Sequence, residues 1–231
     1  MHHRPGHPAD GSGTTPDHEP ATTAVRPESI ATLLGGWKAS ADATLPPLAF
    51  VGALFLSGQS IPWASATAIA TSAALGGYRL ARGERPRAVL IGLLGVTLAA
   101  MIALYTGRAE TFFLPRLLSN VASALVWMLS IVLRWPLLGV VVGTILRQGR
   151  RWRRDPALLR AYSLASWPWV VQYVVRAVTF GTFYLLGWTA ALGIANVVLT
   201  WPLIAVNLAA SAWIVRRVLP ADHPGFRHPR A

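Results

Sequence analysis

The chain has no cysteine, which excludes disulfides, thiol catalysis and cysteine-ligated metal sites. Its six histidines (His2, His3, His7, His18, His223 and His228) all lie in the polar ends. The long apolar middle therefore offers no imidazole for a proton relay, a haem or a zinc site. Acids are scarce as well: between residues 37 and 217 there are only Asp42, Glu84, Glu110 and Asp155. Four scattered acids do not form the Asp-rich motif of a metal-dependent head-group transferase, and Ser57-Gly58 has no base to make it a nucleophile. The expectation is a chain that is not an enzyme, with no catalytic residue, metal or cofactor assigned. No apolar stretch opens the chain, since residues 1–27 are polar, so no secretory signal is expected.

What is present is lipid-like. Of the 231 residues 53% are hydrophobic and 13% charged, ten are Trp, and the formal net charge is +12, whereas soluble domains carry about 25% charged residues. A basic balance is also the footprint of nucleic-acid binding. Here, however, the arginines sit at the ends of apolar runs rather than along a polar or aromatic face, and nucleic acid is not an expected partner. The densest cluster falls at residues 147–160, where Arg147, Arg150, Arg151, Arg153, Arg154 and Arg160 are six of the 21 basic residues. A cluster of that density stays on the cytoplasmic side of a membrane and sets the orientation of everything else.

Counting outward from it predicts an all-α polytopic membrane bundle with three regions. Residues 1–28 read as a disordered cytoplasmic tail, 29–218 as a six-span membrane domain and 219–231 as a second disordered tail. Ser29 is a plausible N-cap for a short interfacial helix that breaks at Gly35-Gly36. Only eleven mostly apolar residues, 48–58, follow Pro46-Pro47. Eleven helical residues cover about 16 Å of a core of about 30 Å, so the first span must start near residues 37–43 and carry the prolines as a kink. The next spans are 63–80, rich in small residues, and 88–105. Residues 107–116 then make a compact outer segment.

The apolar stretch 112–146 is too long for one untilted crossing and is divided by Arg134-Trp135-Pro136. The fourth span is placed at 117–133 and residues 137–146 in an interfacial or re-entrant piece, a single kinked helix being the alternative. The fifth helix runs unbroken from Pro156 to Leu186. The sixth span, 190–215, carries Asn196, Trp201-Pro202 and Asn207. With both termini inside, the cytoplasmic boundaries hold Lys38, Arg79, Arg82, Arg85, Arg87, the 147–160 cluster and Arg216-Arg217, against Arg108 and Arg116 outside.

Arg176 stands out because it falls near the middle of the fifth span, where a charge faces the bundle interior or a hydrated cavity and needs partners. Gln172 and Phe180 are one turn away on the same face, and Trp169 two turns. Glu110 is the expected partner of Arg176, and Asp42 that of Arg79, Arg134 or Lys38. The candidate intramembrane polar site is thus Arg176, Gln172, Glu110, Asp42 and Asn196. Asp155 before Pro156 reads as an N-cap, and Glu84 as a local balance for its arginines.

Several stretches carry a resemblance. Leu34-Gly35-Gly36-Trp37, Asp42 with Leu45-Pro46-Pro47, Gly107-Arg108-Ala109-Glu110-Thr111-Phe112-Phe113-Leu114-Pro115, Arg134-Trp135-Pro136-Leu137 and Trp152-Arg153-Arg154-Asp155-Pro156-Ala157 resemble an actinobacterial family of integral membrane proteins, domain of unknown function 3159. The resemblance implies a multispanning protein and no activity. A weaker similarity runs to the intracellular septation protein A family, through Asp42 with Leu45-Pro46, Ala66-Thr67-Ala68, the basic turn after the second span and Pro136-Leu137. It implies a place in envelope or division machinery.

Two functions follow as expectations. The first is a non-enzymatic cell-envelope or division-associated protein of the plasma membrane, with the lipid bilayer and envelope or division proteins as partners. The alternative is a small transporter or lipid-handling protein with a polar site around Arg176. The sequence sets no oligomeric state.

Overall fold

A computed structural model describes residues 36–84, 86–146 and 151–220 of the chain. Both terminal tails (residues 1–28 and nearly all of 219–231), the helix proposed after Ser29, and Arg147 and Arg150 lie outside those residues. Of Lys38 and Asp42 only the backbone is described. Among the described residues every regular element is helical.

Three long helices come first: α1 (Gly36–Leu56), α2 (Ile61–Ala81) and α3 (Pro86–Thr106). The first contains Pro46 and Pro47 within it, as the short apolar run after them requires. Tight turns join the three, and Gln59 takes a left-handed φ of 71° beside Gly58 at 64°. Small residues set the spacing. Ala64, Ser65 and Ala68 of α2 and Ala99, Ala100 and Ala103 of α3 are buried, and Gly76 comes so close to α3 that an added Cβ would lie 2.7 Å from Val89 Cγ1. Backbones that approach this closely gain dispersion contacts where water provides no driving force.

A buried 3₁₀ turn (Ala109–Phe113) leads into α4 (Leu114–Val132). The segment expected to be compact is buried at its centre. Phe112 and Phe113 are 5% and 2% exposed; Phe112 stacks on Phe50 of α1 at 4.0 Å between centroids, and Phe113 meets it edge-on. These rings, with Leu54, Phe180 and Leu192, form a core joining the first three helices to the rest.

After α4 the chain turns sharply through Arg134, at φ 54°, into the nine-residue α5 (Leu137–Ile145). This is a separate short helix, not the far end of one long kinked helix. Nine residues rise about 14 Å, too little for a crossing. Its Gly139 lies under the Trp152 ring, where a Cβ would be 2.7 Å from the ring. The basic segment itself anchors the fold: Arg151–Arg153 is a 3₁₀ turn whose Trp152 is 2% exposed among Leu138, Leu158, Tyr162 and Val215, while Arg153 lies 4.0 Å over the Trp135 ring. Arg151 and Arg154 are exposed.

The stretches expected to form the fifth and sixth spans are each interrupted, where a continuous helix was expected. Pro156–Ala165 (α6) stops at Ser166 and Trp167–Leu185 (α7) restarts with Pro168 in its first turn. Thr189–Val198 (α8) stops at Leu199-Thr200 and Trp201–Val218 (α9) restarts with Pro202. A proline lacks the N–H that would continue the ladder and disfavours helical backbone before it, so it sits well only in a first turn. Asp155 caps α6 as expected, accepting from the amides of Ala157 and Leu158 at 3.1 and 3.2 Å. Helix α4 lies along α7, α6 along α9, and α8 along α1.

Among the described residues, three stretches are long and apolar enough to cross a membrane: Pro86–Thr106, Ala109–Val132 and, through its break, Thr189–Val218. Thr44–Leu56 is a shorter apolar stretch.

Candidate functional site

The break between α8 and α9 builds the site. Pro202 has no N–H to offer the Val198 carbonyl, and the backbone tightens there, with the Thr200 amide bonding the Val197 carbonyl at 3.3 Å. The carbonyls of Leu199 and Thr200 turn toward α7, and Arg176 meets them. Its Nε and Nη2 donate to Leu199 O at 3.0 and 2.6 Å, and Nη2 also donates to Thr200 O at 2.9 Å. Arg176 is 5% exposed, with the Tyr173 ring 5.9 Å from its guanidinium. A guanidinium within a bilayer costs about 2.5 to 3.5 kcal/mol on insertion scales; three charge-assisted bonds to a helix's free carbonyl end offset that. The end of a helix carries partial negative charge, so the cation sits where the dipole favours it.

The expected partner is elsewhere. Glu110 accepts from Arg108 Nε at 2.7 Å, so the proposed Arg176 to Glu110 pair gives way to the backbone contact. The reason is local: Arg108 and Glu110 flank one turn, so Glu110 is neutralised without leaving it. Arg79 pairs with Glu84 at 2.7 Å. Asn196 is 3% exposed, and its backbone carbonyl accepts from the Thr200 hydroxyl at 2.5 Å, one turn before the Arg176 contact on the α8 side of the break.

A second cation joins from α4. Arg116 Nη2 approaches the Thr200 hydroxyl at 3.4 Å, so Thr200 is touched by two guanidiniums. Neither has a carboxylate partner among the described residues. The Arg176 bonds use Nε and Nη2, which leaves the two N–H groups of Nη1, and Arg116 has a single long hydrogen bond.

Below this layer lie three carboxamides. Asn120 is one turn from Arg116 on α4, Gln172 one turn from Arg176 on α7, and Asn207 two turns from Thr200 on α9. They are 2%, 3% and 5% exposed, yet Asn120 Nδ2, Gln172 Nε2 and Oε1, and Asn207 Nδ2 have no hydrogen-bond partner. Each such buried group costs about 1 to 3 kcal/mol. Their level is closed on the other side by Trp127 of α4, stacked on Trp169 of α7 at 5.1 Å, whose Nε1 donates to Ser211 of α9 at 3.0 Å. The Ser211 hydroxyl in turn donates to the Ala165 carbonyl at 2.9 Å.

Of the residues expected to share a site, the structure thus gathers Arg176, Gln172 and Asn196 and leaves Glu110 with Arg108. Arg116, Asn120, Thr200 and Asn207 were missed as members. Two patterns pointed to them: Arg116, Asn120 and Ala124 recur every fourth residue, and Thr200, Asn207 and Ser211 follow the spacing of one helix face.

These features define a helical bundle with apolar, membrane-length helices and a buried cationic and amide interior. The chain belongs to the family described as protein of unknown function DUF3159, whose model matches residues 34–222. No curated protein matches the chain, and no solved structure does.

Proposed function

We propose that this protein crosses the cytoplasmic membrane six times, with both termini cytoplasmic, and binds an anionic ligand at Arg116 and Arg176 as a small transporter or lipid-handling protein, without catalysing a reaction. The observation that carries the reading is the pair of guanidiniums on Thr200 with no acid beside them among the described residues. A helix broken at membrane depth, with its free carbonyls and neighbouring charges facing inward, is where transporters hold their substrates. Six crossings pair α1, α2, α3, α4, α6 with α7, and α8 with α9, and place α5 and the basic turn on the cytoplasmic side. The resemblance to septation proteins supports envelope or division proteins as partners, but it offers no site.

Binding of inorganic phosphate to the purified full chain tests the reading. Saturable binding should weaken about tenfold in Arg116→Gln, the loss of one charge-assisted contact, with the melting temperature unchanged. Equal binding by the two proteins would discard the site. Orientation is tested separately by single cysteines. An impermeant reagent added outside should label Arg108→Cys and spare Arg154→Cys, and the reverse pattern would overturn the topology.

A further inference from the structure

Between α7 and α9 runs an open groove of about 450 Å³, lined along its length by Val171, Val175, Leu203, Val206 and Ala210 and, on its floor, by Gln172 and Asn207. It reaches from Leu164 and Ile214 at one end to Val175 and Leu203 at the other. Val175 is next to Arg176, and Leu203 is three residues from Thr200, so the groove ends beside the cationic layer. Its walls are apolar side chains that face outward, with Val171 and Val206 56% and 60% exposed. Gln172 and Asn207 beneath it carry amide atoms that are buried from solvent and have no protein partner among the described residues.

Resting on the anion-site reading above, we infer that the ligand is an anionic membrane lipid, bound with its headgroup at Arg116 and Arg176, its ester or hydroxyl groups against Gln172 and Asn207, and an acyl chain along the α7–α9 groove. The three parts of the site match the three parts of such a molecule in order. Two cations without an acid suit a phosphate. Gln172 offers a donor and an acceptor and Asn207 a donor, which suits the carbonyl and hydroxyl groups of a glycerol backbone. An apolar channel open to the side suits a chain that enters from the bilayer rather than from water. A free phosphate would use the first part alone and leave the amides unsatisfied.

The test is native mass spectrometry of the full chain in detergent, titrated with a phosphatidylglycerol, with a phosphatidylcholine and with inorganic phosphate. Three variants accompany it: Val171→Trp, which fills the groove from an exposed position; Gln172→Leu; and Arg116→Gln. Val178→Trp, on another exposed part of α7, is the folding control. One phosphatidylglycerol should bind in clear preference to phosphatidylcholine. Val171→Trp should weaken it about tenfold or more while leaving inorganic phosphate binding intact, and Val178→Trp should leave both intact. Gln172→Leu should raise the melting temperature yet lower lipid affinity, a split that a purely structural amide would not give. Wild-type lipid affinity in both Val171→Trp and Gln172→Leu, with phosphate still lost in Arg116→Gln, would overturn the lipid inference and keep the anion site. Unchanged binding in Arg116→Gln would remove both.

Discussion

Helices α1 to α3 and helices α4 to α9 handle polar groups in opposite ways. In the first set each helix runs 21 residues without a stop, and the hydroxyls of Thr67, Thr71 and Thr106 donate to carbonyls of their own helix, each at 2.8 Å. Among the described residues of this set, Ser65 is the one whose buried side-chain oxygen has no partner. In the second set two stretches are broken, carbonyls at the breaks are met by Arg176 and Ser211 from other helices, and several buried side-chain amides have no partner. A polar group satisfied locally lets a helix serve as packing surface. A group satisfied only across helices ties the bundle together, and one left over costs stability unless something else meets it.

The contrast has an order of sizes. Arg176→Met should be the most damaging change, because it strips the Leu199 and Thr200 carbonyls of charged donors; a loss of about 3 kcal/mol is expected in detergent unfolding. Gly139→Ala comes next, at about 1 to 3 kcal/mol, because the new methyl meets a rigid indole. Gly76→Ala should cost less, since one Val89 methyl is all that must shift. Asn120→Leu should reverse the sign and stabilise by about 1 kcal/mol, removing an unpartnered amide. Thr67→Val should lie within about 0.5 kcal/mol of wild type. Thermal or denaturant unfolding of the five variants ranks them, and a Thr67→Val loss as large as that of Arg176→Met would erase the distinction between the two sets.

The helices themselves were legible wherever apolar length or a cap announced them. The prolines inside α1 followed from the span they left too short, and Asp155 before Pro156 was recognisable as a cap by residue type alone. Two breaks were missed although the same pair of letters marks them. Trp135-Pro136 immediately precedes α5, and Trp167-Pro168 and Trp201-Pro202 open α7 and α9. Only the first was read as a divider, because the other two lie in apolar stretches of ordinary spanning length. The partner of Arg176 could not be found by searching for acids, since a backbone carbonyl is the same for every residue type; only the break exposes it. Phe112 and Phe113 were placed in a compact outer segment, and nothing in that reading gave them a partner, yet bulky rings beside a turn are well placed to fill a junction.

The contact between Arg176 and the α8–α9 break also sets an order of manufacture. Its acceptors are 23 and 24 residues farther along the chain, so while the ribosome is still making α8 the guanidinium has no place to bind. At about 5 to 20 residues per second the wait lasts about one to five seconds. During that interval α7 has its packing against α4 but lacks the tie through Arg176, and only the arrival of Thr200 joins α7 to the α8–α9 break.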